Sequence, residues 1–275
     1  MSAPPDQSPI YLVNLDRRPD RLAYMSSQFE AMGLSWQRFS AVDAQTVTDA
    51  VIELEIDRHR PLIRMPRGSQ CCTLSHFGVW RQIAAGSAPG AFVIEDDIEL
   101  APAIAALARD ASWLPAPVDI IQLERKGGSS AKLLGPALGQ TPDGRNIHEL
   151  FSRTGGSGAY YIRRETAVRL LADKGLVRLP IDHLLFNANA SHLARRMRVA
   201  VLNPAIARQS RDQFASDITA SPPARSLRQR LTRGLLEINQ LPRQIWLMLS
   251  GAARPIPFEY ARDVRRDTAG SSPAS

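Results

Sequence analysis

The feature that most constrains the fold is a short, fully apolar run that ends in three consecutive acids. Residues 91–94 read Ala-Phe-Val-Ile, follow Pro89-Gly90 and precede Glu95, Asp96 and Asp97. An apolar run of this length without polar alternation is typical of a central strand that is covered on both faces. Because open α/β sheets bind ligands beyond the carboxyl ends of their strands, the three acids are predicted to stand at a ligand site.

Apolar runs and helix-like patterns alternate on both sides of this strand. Further strands are predicted at 10–15, 36–42, 118–123, 159–162 and 198–202, with helical spacing of apolar residues between most of them. This alternation predicts an α/β fold with a mainly parallel sheet that carries helices on both faces. Residues 127–146 contain five glycines and two prolines, and we predict a long loop there that contributes to substrate binding.

Length and charge distribution predict how the chain is divided. Its 275 residues, 44% hydrophobic and 22% charged, suit a globular domain that needs no metal or disulfide for its core. Between residues 218 and 254, six arginines accompany the single acid Glu237, and leucines and isoleucines recur at helical spacing from 227 to 249. We predict a flexible N-terminus at 1–8, a catalytic domain at 9–217, a basic amphipathic helical extension at 218–267, bent near Pro242, and a disordered tail at 268–275.

The same features bear on location and partners. The basic helix would lie on an anionic membrane with Trp246 at the headgroup level, or it would dock on the catalytic domain or a partner subunit. The adjacent Cys71 and Cys72 are poorly placed for a disulfide, which favours a reducing compartment. With no signal-peptide pattern and no long apolar run, we expect a cytoplasmic protein, peripheral on the inner face of the inner membrane. Positive charge confined to one segment predicts no nucleic-acid partner.

The three acids suggest a divalent cation. Hard carboxylate oxygens suit Mg²⁺ or Mn²⁺, and such ions commonly bridge protein carboxylates to a substrate phosphate. A nucleoside diphosphate is the expected partner. The alternative interpretation is a solvated acidic turn that only begins the next helix.

Five other polar residues are candidates for the site. Arg17 and Arg21 follow the first strand, where they would contact phosphate or a base; solvated surface charge is the alternative. Asn14 lies at the end of that strand, where its polar side chain must find a partner. His76 lies on an apolar helix and is either catalytic or a hydrogen-bonded core histidine. Asp182 is either a general base or the N-cap of a helix, and its spacing does not choose between these roles. The Gly155-Gly-Ser-Gly158 stretch is a weak signal that a simple turn would also explain.

An ordered set of motifs runs from about residue 10 to residue 210. It consists of Ile10-Tyr-Leu-Val-Asn-Leu-Asp-Arg-Arg-Pro-Asp-Arg21, Phe39-Ser-Ala-Val-Asp43, Cys72-Thr-Leu-Ser-His76 with Trp80, Phe92-Val-Ile-Glu-Asp-Asp-Ile-Glu-Leu100, Asp119-Ile-Ile-Gln-Leu123, Gly158-Ala-Tyr-Tyr-Ile162 and Pro180-Ile-Asp182. This set resembles glycosyltransferase family 25, the bacterial lipooligosaccharide glycosyltransferases whose eukaryotic relatives glycosylate collagen. The chain departs from the family at 68–72, where Gly-Ser-Gln-Cys-Cys stands in place of the usual Gly-Glu-x-Gly-Cys.

The resemblance implies a GT-A-like (Rossmann-like) nucleotide-sugar fold, a UDP-sugar donor, a divalent metal at the acids and inversion to a β-linkage. We therefore predict a metal-dependent inverting glycosyltransferase that moves a hexose to a lipopolysaccharide, lipooligosaccharide or other glycan acceptor. The expected hexose is galactose, with UDP-galactose as the donor. Two alternatives remain open. One is a metal-dependent phosphate-ester hydrolase or nucleotidyltransferase, and the other is a non-catalytic glycan- or membrane-binding module.

The resemblance also distributes roles among the candidate residues. Asp96 and Asp97 would hold the Mn²⁺ or Mg²⁺ ion, and Asp182 would be the general base, with His76 in reserve. The donor side would be lined by five residues: Asn14, Arg17, Arg21, Glu95 and Asp96.

Overall fold

The computed structural model describes residues 7–127, 130–210, 234–236 and 238–264. Its strands are β1 Ile10–Asn14, β2 Gln37–Ser40, β3 Gly90–Glu95, β4 Ile98–Leu100, β5 Ile120–Gln122, β6 Ser130–Gln140, β7 Asn146–Leu150, β8 Ala159–Arg163, β9 Val199–Asn203, β10 Ala207–Gln209 and β11 Arg254–Phe258. Nine of them form one sheet in the order β11-β6-β7-β9-β5-β8-β3-β1-β2, and β10 pairs with β4 in a small second sheet.

Helices cover both faces of the large sheet. They are α1 Pro19–Ala31, α2 Asp49–Glu53, α3 Arg67–Ala85, α4 Ile104–Arg109, α5 Arg164–Asp173, α6 Ile181–Phe186, α7 His192–Arg196 and α8 Leu241–Leu249. Strand β3 alternates between two buried clusters: Val93 packs with Phe77 of α3 on one face, whereas Ile94 packs with Met25 of α1 on the other. The prediction that the apolar run before the acids is a strand buried on both faces is therefore confirmed.

The predicted α/β class is confirmed, but the sheet is mixed rather than mainly parallel. Strand β1 is parallel to β2 and β3, and β5 is parallel to β9, whereas β8 is antiparallel to both of its neighbours, β3 and β5. A crossover helix keeps successive strands parallel. The described chain between β5 and β8 contains a hairpin instead, so β8 enters the sheet in the opposite direction.

The predicted long loop at 127–146 is wrong, because most of it is the hairpin of β6 and β7. Its glycines and prolines fit a strand because the β6–β7 register shifts twice, between Leu134 and Ala137 and between Ala137 and Gly139. Bulges of this kind accept residues that a regular ladder would exclude.

The C-terminal region adds one unpredicted strand to the sheet. Strand β11 pairs with the edge strand β6, and Leu247 of α8 packs against Leu133 of β6. Pro242 lies in the first turn of α8, where a missing N–H costs little. Residues 234–236 and 238–239 are also helical, so the helical segment is interrupted at Gln240, next to Pro242. The earlier part of the predicted amphipathic helix, at 211–233, lies outside the described residues.

The domain boundaries stay predictions, because residues 1–6 and 265–275 also lie outside the described residues. Among the helices that the structure describes, none combines the length and apolar character needed to cross a bilayer.

Candidate active site

A cleft that is open to solvent lies at the carboxyl ends of β1 and β3. Part of its lining is apolar and includes Val13, Leu15, Ala41 and Val42. The charged residues of the lining are Arg17, Arg21, Glu95, Asp96 and Asp97. The acids at the end of β3 therefore border a cleft that solvent can enter.

Asp96 is engaged on both of its oxygens. Asn14 Nδ2 donates to Oδ2 at 2.7 Å and Arg21 Nη1 donates to Oδ1 at 2.9 Å. The residue is only 6% exposed, and burial raises its pKa, while the hydrogen bonds from Arg21 and Asn14 offset part of that effect. Asp96 therefore joins β3 to β1 and α1, and an ion would have to compete with Arg21 and Asn14 for it.

Asp97, unlike Asp96, is not hydrogen-bonded on both of its oxygens within the described part of the chain. Its Oδ1 is buried and has no hydrogen-bond partner among the described residues, and the nearest cation, Arg21, has Nη1 3.9 Å from Oδ2. Burial, followed by the charge of Glu95, raises the pKa of Asp97 to about 7. A bound cation would relieve both effects, so this carboxylate fits the predicted divalent metal.

Glu95 points to the face of the sheet opposite Asp96. Its Oε1 accepts hydrogen bonds from Ser157 Oγ at 2.8 Å and from His76 Nε2 at 3.2 Å. Burial acts to raise the pKa of Glu95, but the His76 and Ser157 contacts outweigh it and lower the pKa. His76 itself is fully buried behind Glu95, which places it in a hydrogen-bonded core position rather than in the cleft.

A buried acid that the sequence did not single out lies next to this site. Glu124 follows β5, is fully buried, and accepts the backbone N–H of Gly158 on Oε2 at 2.7 Å. Its Oε1 has no hydrogen-bond partner among the described residues. Burial and the charge of Glu95 raise the pKa of Glu124 to about 8. The signal for it was an acid directly after a buried strand, the same pattern as at β3.

The Gly155-Gly-Ser-Gly158 stretch is a turn that wraps around Glu124. Gly156 has a φ of +91°, and a Cβ there would lie 2.4 Å from Glu124 Oε2. Only glycine fits this combination of backbone angle and close approach. The turn delivers Ser157 to Glu95, so the glycines shape the site by bringing a backbone close to a buried carboxylate.

Asp182 lies on the other side of this turn. Its Oδ1 accepts the backbone N–H of His183 at 2.8 Å, and its Oδ2 accepts that of Gly156 at 3.5 Å. The N-cap position of α6 is occupied by Pro180, so Asp182 is inside the helix rather than its cap. Lys126 is close enough to both Glu124 and Asp182 that their charges raise its pKa against the opposing effect of burial.

The structure thus brings five of the eight predicted site residues into the lining of one cleft: Arg17, Arg21, Glu95, Asp96 and Asp97. Asn14 connects β1 to Asp96, and Arg17 lies at the rim with Nε 2.9 Å from Asp43 Oδ2. The two predicted catalytic residues stand apart, His76 beneath Glu95 and Asp182 beyond the turn. Their catalytic roles stay predictions.

Comparison with known proteins agrees with this geometry. The family model described as glycosyltransferase family 25 (LPS biosynthesis protein) matches residues 7–185, which is more than half of the chain. A glycosyltransferase 25 family member of Drosophila melanogaster is 29% identical over 194 residues, covering 64% of this chain and 30% of that protein. One from Aedes aegypti is 32% identical over 105 residues, covering 34% of this chain and 17% of that protein.

The chain is also similar to a human protein named inactive glycosyltransferase 25 family member 3, with 26% identity over 189 residues, covering 64% of this chain and 31% of that protein. The matched part of the chain thus spans less than a third of the length of these relatives. The family match includes β1, β3 and all the acids of the cleft. By this match the chain belongs to glycosyltransferase family 25.

Proposed function

We propose that this chain is a metal-dependent inverting glycosyltransferase that moves a hexose to a lipopolysaccharide, lipooligosaccharide or other glycan acceptor. The donor that we propose first is UDP-galactose. The observation that carries the proposal is Asp97, a carboxylate in an open cleft with one buried oxygen that no described residue satisfies. Family membership supports the transfer of a sugar, and the cleft supports a diphosphate-linked donor.

The cleft offers contacts for each part of such a donor. The apolar residues of its lining, which include Val13, Leu15 and Val42, suit a flat base and a ribose. Arg17 and Arg21 supply positive charge beside the acids, where a diphosphate would lie. A Mn²⁺ or Mg²⁺ ion bound through Asp97 would neutralise the negative charge that develops on the departing diphosphate.

The acceptor hydroxyl needs a base on the side of the sugar opposite the diphosphate. Asp182 is our candidate, because it is a carboxylate next to the Gly156 turn and two backbone N–H groups hold its oxygens. His76 is a poor candidate for direct contact with an acceptor, since its ring is fully buried and hydrogen-bonded at both nitrogens.

The test is a donor screen with the full chain. Individual nucleotide sugars are incubated with Mn²⁺, with and without glycan acceptors, and released UDP or GDP is measured together with sugar transfer. We expect release with UDP-galactose that EDTA abolishes and that Asp97→Asn reduces at least a hundredfold. The matched control is Asp263→Asn, an exposed acid that does not line the cleft, which should keep full activity.

The same screen separates the alternatives. Release of phosphate or pyrophosphate without sugar transfer would favour a hydrolase or nucleotidyltransferase. No turnover with any donor, together with unchanged ligand binding in Asp97→Asn, would favour a non-catalytic module, in line with the name of the human relative.

We further propose a cytoplasmic location, with peripheral contact to the inner face of the inner membrane. Helix α8 docks on the sheet through Leu247, but its other large apolar side chains are exposed, with Trp246 at 64% and Leu249 at 83%. An exposed apolar helix face beside an arginine-rich segment suits an anionic lipid surface. A lipid-linked acceptor would be reached from that position.

A further inference from the structure

A chain of hydrogen bonds runs through the core and ends on Glu95. Trp80 Nε1 donates to Tyr160 Oη at 2.9 Å, Tyr160 Oη lies 2.8 Å from His76 Nδ1, and His76 Nε2 lies 3.2 Å from Glu95 Oε1. Trp80, Tyr160 and His76 are all completely buried. The chain joins α3 to β8 and then to the carboxylate at the end of β3.

The direction of each bond follows from donor and acceptor chemistry. The indole N–H of Trp80 can only donate, so Tyr160 Oη accepts from it. The phenol has one proton of its own, and within the described structure its other hydrogen-bond partner is His76 Nδ1. Pairing every buried donor therefore requires Tyr160 to donate to Nδ1. The proton of a neutral imidazole then lies on Nε2, facing Glu95.

We infer that Trp80 and Tyr160 are positioning residues that fix His76 as the Nε2–H tautomer, so that His76 donates to Glu95 and holds its carboxylate in place. Ser157 provides the second donor to the same oxygen, from the turn on the opposite side. Glu95 is thus held from two elements, while its side chain borders the cleft.

Glu95 and His76 also belong to a group of side chains that resembles a metal site. Ligand atoms of Cys72, His76 and Glu95 lie within 4.8 Å of one another. A zinc ion there would need an unprotonated Nε2. Because Nδ1 accepts the hydrogen bond from the Tyr160 hydroxyl, the proton of the ring lies on Nε2, which disfavours zinc binding. We therefore assign His76 as a donor to Glu95 and not as a metal ligand.

The test is nitrogen NMR of the full chain labelled with ¹⁵N-histidine, without donor or metal at neutral pH. The chain has five histidines, and the spectrum of His76→Gln identifies the signals of His76 by their loss. We expect an unprotonated Nδ1 and a protonated Nε2 in the unmodified protein, and a shift of the Nδ1 signal in Tyr160→Phe. Tyr161→Phe is the matched control, since Tyr161 follows Tyr160 on β8 but packs in the cluster on the other face of the sheet, and it should leave both signals unchanged.

The spectrum of the unmodified protein decides the inference even if Tyr160→Phe does not fold. A protonated Nδ1, whether in a neutral or a doubly protonated ring, would overturn it. An Nδ1 signal that does not move in a folded Tyr160→Phe would do the same, as would a shift of the Nε2 signal when Zn²⁺ is added at equimolar concentration. Because the measurement uses neither donor nor Mn²⁺, its failure would leave the proposed transferase function standing.

Discussion

Gly156→Ala isolates the close contact between the glycine turn and Glu124. Two glycines share a φ of +91°, Gly156 and Gly144, but a Cβ at Gly144 would meet nothing within 4 Å. At Gly156 it would lie 2.4 Å from Glu124 Oε2 and 2.7 Å from Cδ, and that carboxyl group is fully buried. Positive φ costs an alanine roughly 1–2 kcal/mol, and forced overpacking typically adds about 1–3 kcal/mol.

We therefore expect the free energy of unfolding to fall by about 2–5 kcal/mol in Gly156→Ala and by about 1–2 kcal/mol in Gly144→Ala. Any gain from a stiffer unfolded chain is common to both variants and cancels in their difference. The assay is urea unfolding followed by tryptophan fluorescence and by circular dichroism, whose coincidence checks the two-state assumption. Equal losses in the two variants would refute the contact with Glu124.

A double-mutant cycle sharpens the test. Glu124→Ala removes the group that a Cβ at Gly156 would strike, so the combined variant should lose less stability than the sum of the two single changes. We expect a coupling energy of about 1 kcal/mol or more. Strict additivity would show that the cost at Gly156 comes from its backbone angle alone.

Three further predictions concern pH, the C-terminal segment and the membrane. The unfolded chain loses the Glu124 proton near pH 4.5 and the folded chain near pH 8. The stability contributed by the protonated Glu124 carboxyl group is therefore complete below pH 4.5 and is lost as the pH rises through 8. Urea midpoints between pH 6 and pH 9 should therefore fall less in Glu124→Gln than in the exposed control Glu30→Gln. The fully buried guanidinium of Arg145 bonds the backbone oxygens of Pro204, Ala261 and Arg262, and Arg145→Met should lower the free energy of unfolding by about 3 kcal/mol or more in the same assay. The double variant Trp246→Ala, Leu249→Ala should reduce co-sedimentation with phosphatidylglycerol vesicles several-fold. Val168 is an exposed apolar residue on α5, and Val168→Ala should not reduce it. Equal binding by the two variants would refute the membrane proposal.

The elements nearest the site could be predicted from the sequence because their patterns are local. Strand β3 is apolar on both faces, and α1 carries Met25 and Phe29 at helical spacing and is followed by Gly33 with φ +61°. Such patterns can be recognised in the sequence without knowing which elements they pack against. The grouping of Asn14 and Arg21 with the acids also followed, since parallel strands end at the same edge of a sheet.

What the sequence did not predict depends on partners far along the chain. The hairpin of β6 and β7 contains Gly135 and Pro136, which are unfavourable in a regular strand, and it is stabilised by pairing with β9 and β11 at its edges. The buried strand before Glu124 marks it as a candidate site residue, but its enclosure has no local signal, because the turn that covers it begins about thirty residues later in the sequence.

The three acids at the end of β3 have different surroundings. Glu95, the last residue of the strand, contacts His76 of α3, whereas Asp96, in the turn that follows, contacts Arg21 of α1. Neither is free in the way Asp97 is. Asp96→Asn would leave Arg21 facing a neutral group in a buried pair and should lower the free energy of unfolding by about 2 kcal/mol or more. Asp97→Asn removes a buried charge without a close partner and should raise the unfolding midpoint at pH 8 in EDTA. If Asp96→Asn lowers stability and Asp97→Asn raises it, then Asp96 anchors the structure and Asp97 is placed to receive a cation. A loss of stability in both variants would mean that Asp97 is satisfied by the protein alone.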